Sequence, residues 1–235
     1  MKNKLKNIDL KKEFQQMTDT QLSDWKCLSN FIFNKAGIKL NVKKLKITED
    51  KKMDCWGGVL CLQYPDEIGK LLSILYKYRD HINSFCEIGT DRGGSFFIID
   101  SFLRAINPNM GKSIAVDKST TILRHSFEEY KEKNNQVNFI NVNSKNFNPD
   151  QNYDFCFIDG EHEYPGCKRD FYKMIKYSNL IALHDIKFKD KIFPNGGVLH
   201  LWEEIDDFNK IELLNEDSHF PVPLGIGVVI NDRRM

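Results

Sequence analysis

Phe85-Cys86-Glu87-Ile88-Gly89-Thr90-Asp91-Arg92-Gly93-Gly94-Ser95 is the stretch on which the fold turns. Its apolar beginning reads as a strand over 84–88, and its end opens a helix over 95–105. The glycines between them allow a tight turn and close approach of the backbone to a ligand. The helix that follows offers free N–H groups at its N-terminus. Ligands of open α/β sheets bind outside the carboxyl ends of strands, where the strand order reverses. A binding site is therefore expected at this turn.

Downstream, short apolar runs alternate with helical stretches. Strands are predicted at 113–116, 137–142, 153–158, 180–183, 211–214 and 225–230, and helices at 120–133, 164–177 and 199–208. A further helix over 65–78 precedes the first core strand, with Pro65 in its first turn. The central strands are continuously apolar, as in a sheet covered on both faces. This alternation predicts an α/β fold with a doubly wound, mainly parallel sheet.

The first 52 residues differ, with thirteen lysines against six acids. Phe14, Leu22, Trp25, Leu28, Phe31 and Ile32 recur at helical spacing, so amphipathic helices with solvated basic faces are expected. We divide the chain into an N-terminal helical extension, 1–55, and a catalytic domain, 56–235. A lysine-rich connection spans 41–54.

Composition narrows the partners. Of 235 residues, 41% are hydrophobic and 29% charged, which is globular. Thirty-four basic residues against 33 acidic ones give a net charge of +1, so there is no basic field for a nucleic acid. No apolar run approaches the ~18 residues of a membrane span, and no apolar stretch follows the charged N-terminus as a secretory signal would require. None of the six cysteines forms a Cys-x-x-Cys pair, and Cys86 and Cys156 lie in apolar strands. A reducing, cytoplasmic compartment is expected.

The turn itself selects a ligand. A P-loop needs a glycine five residues before Gly111-Lys112-Ser113, where Ile106 stands. The dinucleotide fingerprint needs a glycine where Asp91 stands. An acid there suits a cationic or neutral ligand better than a pyrophosphate, and Glu87 adds a second carboxylate. S-adenosylmethionine carries a sulfonium, an ammonium and no phosphate, and it fits. Ile114-Ala115-Val116-Asp117 supplies an acid for ribose hydroxyls at the end of the second strand, with Lys118 beside it. Asn141-Val142-Asn143-Ser144 ends the third strand with short polar groups for the adenine. Helix–sheet packing is the alternative role for Gly93 and Gly94.

Two more strand ends carry chemistry, Asp159-Gly160-Glu161-His162 and His184-Asp185. Carboxylates and imidazoles converging there suit Mg²⁺ or Mn²⁺. Asp159, His184 and Asp185 are the candidate ligands. His162, as a neutral imidazole, is the candidate general base, with Asp159 and Asp185 as its catalytic partners. The alternative is that Asp159 only touches the cofactor, together with Gly160 and His162, and that His184 bonds backbone. His200 and His219 are read as structural, and Asp170 as a solvated or capping acid.

Glu87-x-Gly89-x-x-x-Gly93-Gly94-Ser95, Asp117, Phe157-Ile158-Asp159-Gly160-x-His162-x-Tyr164 and His184-Asp185 together resemble class I S-adenosylmethionine-dependent methyltransferases. The nearest branch contains the macrolide-sugar O-methyltransferases and the cephalosporin-hydroxylase-like proteins. Gln63-x-Pro65-x-Glu67, Gly197-Val198-Leu199-His200-Leu201-Trp202 and Gly225-Ile226-Gly227-Val228-Val229 extend the resemblance over 56–231. It implies a Rossmann-like sheet of about seven strands with an antiparallel last strand. It places Gln63, Glu87 and Gly89 at the cofactor, with Glu87 and Gly89 toward the methionine part and Asp117 at the ribose. It gives Asp159 and Asp185 to the metal with His184 as third ligand, and makes His162 the base. Two features depart from the family pattern. Tyr177-Ser178-Asn179-Leu180 replaces a Pro-Gly-Gly, and His184 stands where metal-dependent relatives often carry a carboxylate.

The expected reaction is methyl transfer to an oxygen of a small polar acceptor, a sugar or nucleotide-sugar. Trp56, Trp202, Phe193 and Phe220 are candidate walls of the acceptor site, and a homo-oligomer is a candidate assembly. The competing readings are a nicotinamide oxidoreductase, a catalytically silent binding module and a metal-assisted hydrolase. A reduced-cofactor absorbance band, the lack of a cofactor-induced melting shift, and activity without S-adenosylmethionine would respectively mark them.

Overall fold

The computed structural model describes residues 9–34, 36, 39–40, 55–56, 61, 63–119, 124–189, 197–216 and 223–232. Most of the 41–54 connection, His219, Phe193 and Phe220 lie outside the described residues, as does the side chain of Trp56. A short antiparallel pair, β1 (Lys39–Leu40) and β2 (Cys55–Trp56), forms a sheet of its own.

The main sheet is built around β3 (Phe85–Ile88). It pairs in parallel with β4 (Ser113–Asp117) on one side and β6 (Tyr153–Ile158) on the other. β5 (Val137–Asn141) continues beyond β4, and β7 (Ser178–His184) beyond β6, both in parallel. β9 (Ile226–Ile230) runs antiparallel between β7 and β8 (Asn209–Leu213). The order β5-β4-β3-β6-β7-β9-β8 is the Rossmann-like sheet of seven strands that the resemblance implies. Strand order reverses between β3 and β6, where the chain crosses from one half of the sheet to the other. There Ile88 is level with both Val116 and Ile158. The residues that follow them, Gly89, Asp117 and Asp159, therefore emerge along one edge.

Alternation along the strands makes two cores. Phe85, Phe155, Phe157, Leu180 and Ala182 face one side. Cys86, Ile88, Cys156, Ile158 and Leu183 face the other. α4 (Pro65–Lys77), α5 (Gly94–Ile106) and α6 (Arg124–Lys133) cover the first side, while α7 (Tyr164–Met174) and α8 (Gly197–Glu204) cover the second. Burying these side chains from both sides is what makes the central strands continuously apolar.

The N-terminal helices α1 (Leu10–Gln15), α2 (Asp19–Ser23) and α3 (Trp25–Asn34) pack into the first core rather than beside it. Phe14 is fully buried and meets Phe102 of α5 edge-on at 5.1 Å. Gly69 lets α3 lie directly on α4, since a Cβ there would stand 2.7 Å from the Trp25 carbonyl oxygen.

Some boundaries shift. α7 ends at Met174 rather than 177, because the Tyr177 carbonyl is taken by the amide of Tyr153, which brings β7 in from Ser178. α8 stops at Glu204 rather than 208, since β8 already begins at Asn209. Trp202 is 3% exposed and lies against Gly227 of β9, so it is core rather than an acceptor wall.

Candidate active site

At the end of β3, Gly89 has φ of +88° and donates its amide to Val116 O at 2.8 Å. Asp159, leaving β6, donates its amide to Ile88 O at 2.8 Å. The two turns touch so closely that a Cβ on Gly89 would stand 2.1 Å from Asp159 O. Gly93, at φ +83°, caps α5, and with Gly94 and Ser95 it is buried beneath the turn, in line with the packing role. Asp91 adopts φ +43°, a region that Asp tolerates better than most residues. Its amide donates to Asp117 Oδ2 at 2.8 Å, and the Ser119 amide donates to Asp117 Oδ1 at 2.7 Å. Asp117 thus ties the β3 and β4 turns together, while each of its oxygens keeps capacity for another donor.

A cavity of about 550 Å³ runs along these strand ends. Gly89, Asp91, Asp117, Lys118 and Ser144 line one part. Asp159, Gly160, His162, His184 and Asp185 line the other. Ser144 Oγ accepts from Arg169 Nη2 at 3.0 Å, which fixes it at that wall. Gln63, just before α4, reaches the site through its side chain and donates from Nε2 to Asp159 Oδ2 at 2.5 Å.

Glu87 is not at the rim. It is fully buried under the turn and does not line the cavity, since it is the third of four buried β3 residues. Burial, opposed by a Ser95 hydrogen bond and reinforced by the Asp159 charge, pushes its carboxyl up to about 8. The expected second carboxylate is therefore largely neutral at pH 7, and Asp91, Asp117, Asp159 and Asp185 carry the acidity of the rim. A raised native pKa means that the folded state holds the proton more tightly. This contribution to stability is complete below about 4.5, the value without the fold, and is lost as pH rises through about 8. Glu87→Gln has no proton to lose. Its melting temperature is expected to gain on wild type steadily from pH 5 to pH 9, and a pH-independent difference in scanning calorimetry would contradict the assignment.

The ionisable groups at the β6 and β7 ends form one cluster. His162 Nε2 stands 2.9 Å from Asp185 Oδ2 and 3.5 Å from Asp159 Oδ1. His184 Nδ1 stands 3.1 Å from Asp159 Oδ1 and 3.2 Å from Asp185 Oδ1. Hydrogen bonds to Asp159 and Asp185 push His162 up to about 10, so it is an imidazolium at neutral pH rather than the neutral base expected. Burial pushes the Asp159 carboxyl up, but the charge of His184 and the hydrogen bond from His162 outweigh it and hold the group well below its usual range. Burial likewise lowers His184, and the charges of Asp185 and Asp159 overcome it. Asp185 sits at φ +66°, which turns its carboxylate back toward the cavity mouth.

One ligand atom each from Asp159, His162 and Asp185 lies within 4.8 Å of the others. Hard oxygens with an imidazole suit Mg²⁺ or Mn²⁺, and among the described residues Asp185 Oδ1 is buried without a hydrogen-bond partner. The donor set fits a divalent ion. Geometrically, His162 joins the two acids at the mouth where the resemblance implies His184, which is 5% exposed behind them. Asp170 is not solvated: it is fully buried with Oδ1 paired to Arg169 at 3.0 Å. Sequence reasoning gave no role to Glu67, a buried acid on α4 aimed at His184. Its only signal was its place in Gln63-x-Pro65-x-Glu67, beside a residue that reaches the site.

Residues 86–186 match a family described as a methyltransferase domain. No curated protein matches the sequence. Among solved structures, the O-methyltransferase TomG from Streptomyces achromogenes, in complex with S-adenosylmethionine and involved in tomaymycin synthesis, superposes with a TM-score of 0.55 at 17% identity, over 73% of this chain and 81% of its own. A candidate O-methyltransferase from Klebsiella pneumoniae gives 0.54 at 15%, over 69% and 79%. A candidate RNA methyltransferase from Pyrococcus horikoshii gives 0.53 at 11%, over 88% and 97%. At such identities the likeness establishes the fold, and acceptors as different as these leave the acceptor to the site itself.

Proposed function

We propose that this chain, whose residues 86–186 match a methyltransferase-domain family, transfers the methyl group of S-adenosylmethionine to a hydroxyl oxygen of a small polar acceptor. One observation carries the reading. A single cavity joins Asp117 and the β3 turn to the Asp159–His162–Asp185 cluster, so a cofactor half and a reactive half share one space.

S-adenosylmethionine supplies an electrophilic methyl group on a sulfonium. Asp117 accepts from the ribose hydroxyls, Ser144 faces the adenine, and Gly89 lets the backbone lie against the methionine part. Asp159 and Asp185 would hold a divalent ion, which would supply Lewis-acid activation of a bound hydroxyl. His162 Nε2, in its neutral form, takes the hydroxyl proton. The acceptor oxygen forms the new C–O bond as the C–S bond breaks, and the electron pair stays on sulfur. Holding both partners in line contributes on the order of 7–11 kcal/mol of barrier lowering.

Paired carboxylates with a metal favour an acceptor with neighbouring hydroxyls, so a sugar or nucleotide-sugar is the proposed class. Cys86 and Cys156 face each other across β3 and β6 as thiols, the state that a reducing cytoplasm maintains. Among the described residues, no helix is long and apolar enough to cross a membrane. The test is transfer of label from methyl-tritiated S-adenosylmethionine to a panel of sugars and nucleotide-sugars, with Mg²⁺ and with a chelator. Labelled methyl ether that falls at least tenfold on chelation is expected. Label transfer indifferent to chelation would remove the metal, and no transfer to any hydroxyl acceptor would remove the O-methyl reading.

A further inference from the structure

The turn on the adenine side of the cavity is held from behind by α7. Lys173 Nζ donates to the carbonyl oxygens of Ser144 at 2.8 Å, Lys145 at 3.2 Å and Phe147 at 2.7 Å. One helical turn earlier, Arg169 Nη2 donates to Ser144 Oγ at 3.0 Å. The same guanidinium grips the next residue, with Nε and Nη2 each 3.0 Å from Asp170 Oδ1. Asp170 is fully buried, so Arg169 is anchored even though 36% of its own side chain is exposed. Lys173 thus fixes the backbone of the turn, and Arg169 fixes the hydroxyl of its cavity-lining serine.

We propose that Arg169 is a positioning residue that sets the polarity of this wall: it makes the Ser144 hydroxyl a donor toward the cavity, where a ring nitrogen of the cofactor's purine accepts from it. A guanidinium carries only donors, so Ser144 Oγ can only accept in that contact, and a hydroxyl that accepts keeps its own proton to give. Among the described residues no acceptor takes that proton. One lone pair of Oγ remains, but a second donor approaching it would meet the positive charge of Arg169, whereas an acceptor is drawn by that charge. The bond that Oγ receives also polarises the bond that it gives. Adenine has three acceptor nitrogens in its rings, while its exocyclic amine donates. The inference rests on the reading of the cavity as an S-adenosylmethionine site, and its test keeps the two apart.

Titration calorimetry of the full chain compares S-adenosylhomocysteine with its 1-deaza, 3-deaza and 7-deaza analogues, each of which replaces one ring nitrogen by C–H. In wild type one analogue is expected to bind about tenfold or more weakly than S-adenosylhomocysteine, because it leaves the hydroxyl without an acceptor. In Ser144→Ala that gap is expected to close, with S-adenosylhomocysteine falling to the level of the analogue. In Arg169→Met the hydroxyl is free to turn away, and the gap is expected to shrink to about threefold or less. A merely structural loss would weaken all four ligands alike and leave the gap as it was. The absence of a gap in wild type, a gap that survives Ser144→Ala, or a gap as wide in Arg169→Met as in wild type would overturn the proposal. Loss of all binding in Arg169→Met would overturn it too, since Arg169 is placed to orient Ser144 and not to hold the cofactor. If wild type does not bind S-adenosylhomocysteine, the functional reading fails and this inference with it; S-adenosylhomocysteine bound without a gap removes only the role of Arg169.

Discussion

Asp159→Asn is expected to lower methyl transfer by about 10³-fold or more while S-adenosylhomocysteine still binds within roughly tenfold of wild type. Asp159 lies at the switch point of the sheet and serves three neighbours. It accepts from Gln63 Nε2, stands 3.1 Å from His184 Nδ1 and contributes one of the three atoms at the cavity mouth. Asparagine keeps the shape and one acceptor oxygen, so the backbone contact from its amide to Ile88 O survives. What disappears is a full negative charge from a site where two histidines are held protonated by their neighbours. Removing a single electrostatic or acid–base group from such a site typically costs 10²–10⁴ in rate, and Asp159 serves both histidines and the proposed ion at once. The check is a single-turnover assay beside a cofactor titration. Turnover within tenfold of wild type would separate Asp159 from the chemistry and return it to a cofactor contact.

Gly89→Ala acts on the fold instead. The new Cβ would meet Asp159 O at 2.1 Å, Asp159 C at 2.4 Å and Gly160 Cα at 2.4 Å, all backbone atoms of a neighbouring turn. It would also hold a non-glycine residue at φ +88°. The conformational part alone costs about 1–2 kcal/mol. Relieving the clash requires β3 and β6 to separate where Ile88 O holds the Asp159 amide. Together these put the substitution among the severe ones, above ~4 kcal/mol, with a melting temperature lower by on the order of 10 °C. Gly160→Ala is the control: its nearest contact is the Ile88 methyl Cγ2 at 3.2 Å, which can give way. Equal melting temperatures for the two variants would mean that the β3 and β6 turns are not packed as described.

The architecture was legible because its signals are local. Apolar runs such as Phe155–Ile158 between turn signals read as strands covered on both sides, and strand–helix alternation then leaves few topologies. The acids at strand ends were legible for the same reason: parallel strands in register deliver Asp117, Asp159 and Asp185 to one edge. What could not be read depends on meetings between distant segments. Glu87 looks like a rim acid in sequence, yet its place in the middle of a buried β3 takes it out of the cavity and keeps it protonated. His162 looks like a free imidazole until the β6 and β7 ends bring Asp159 and Asp185 around it. Glu67 comes within 3.8 Å of His184 through tertiary packing alone, with the Gly225 amide before β9 holding it. The N-terminal helices read as amphipathic from their sequence, but what their apolar face covers did not: Phe14 and Leu28 join the core on one side of the sheet.

The central claim is that the strand-end cavity is built for a sulfonium cofactor anchored by Asp117. Titration calorimetry of the full chain with S-adenosylhomocysteine, with NAD⁺ as competitor and Asp117→Ala as the companion protein, tests it most directly. The account predicts one saturable S-adenosylhomocysteine site per chain, no displacement by NAD⁺, and at least a tenfold loss of affinity in the variant. Preferential binding of NAD⁺, or S-adenosylhomocysteine binding that ignores the loss of Asp117, would contradict it.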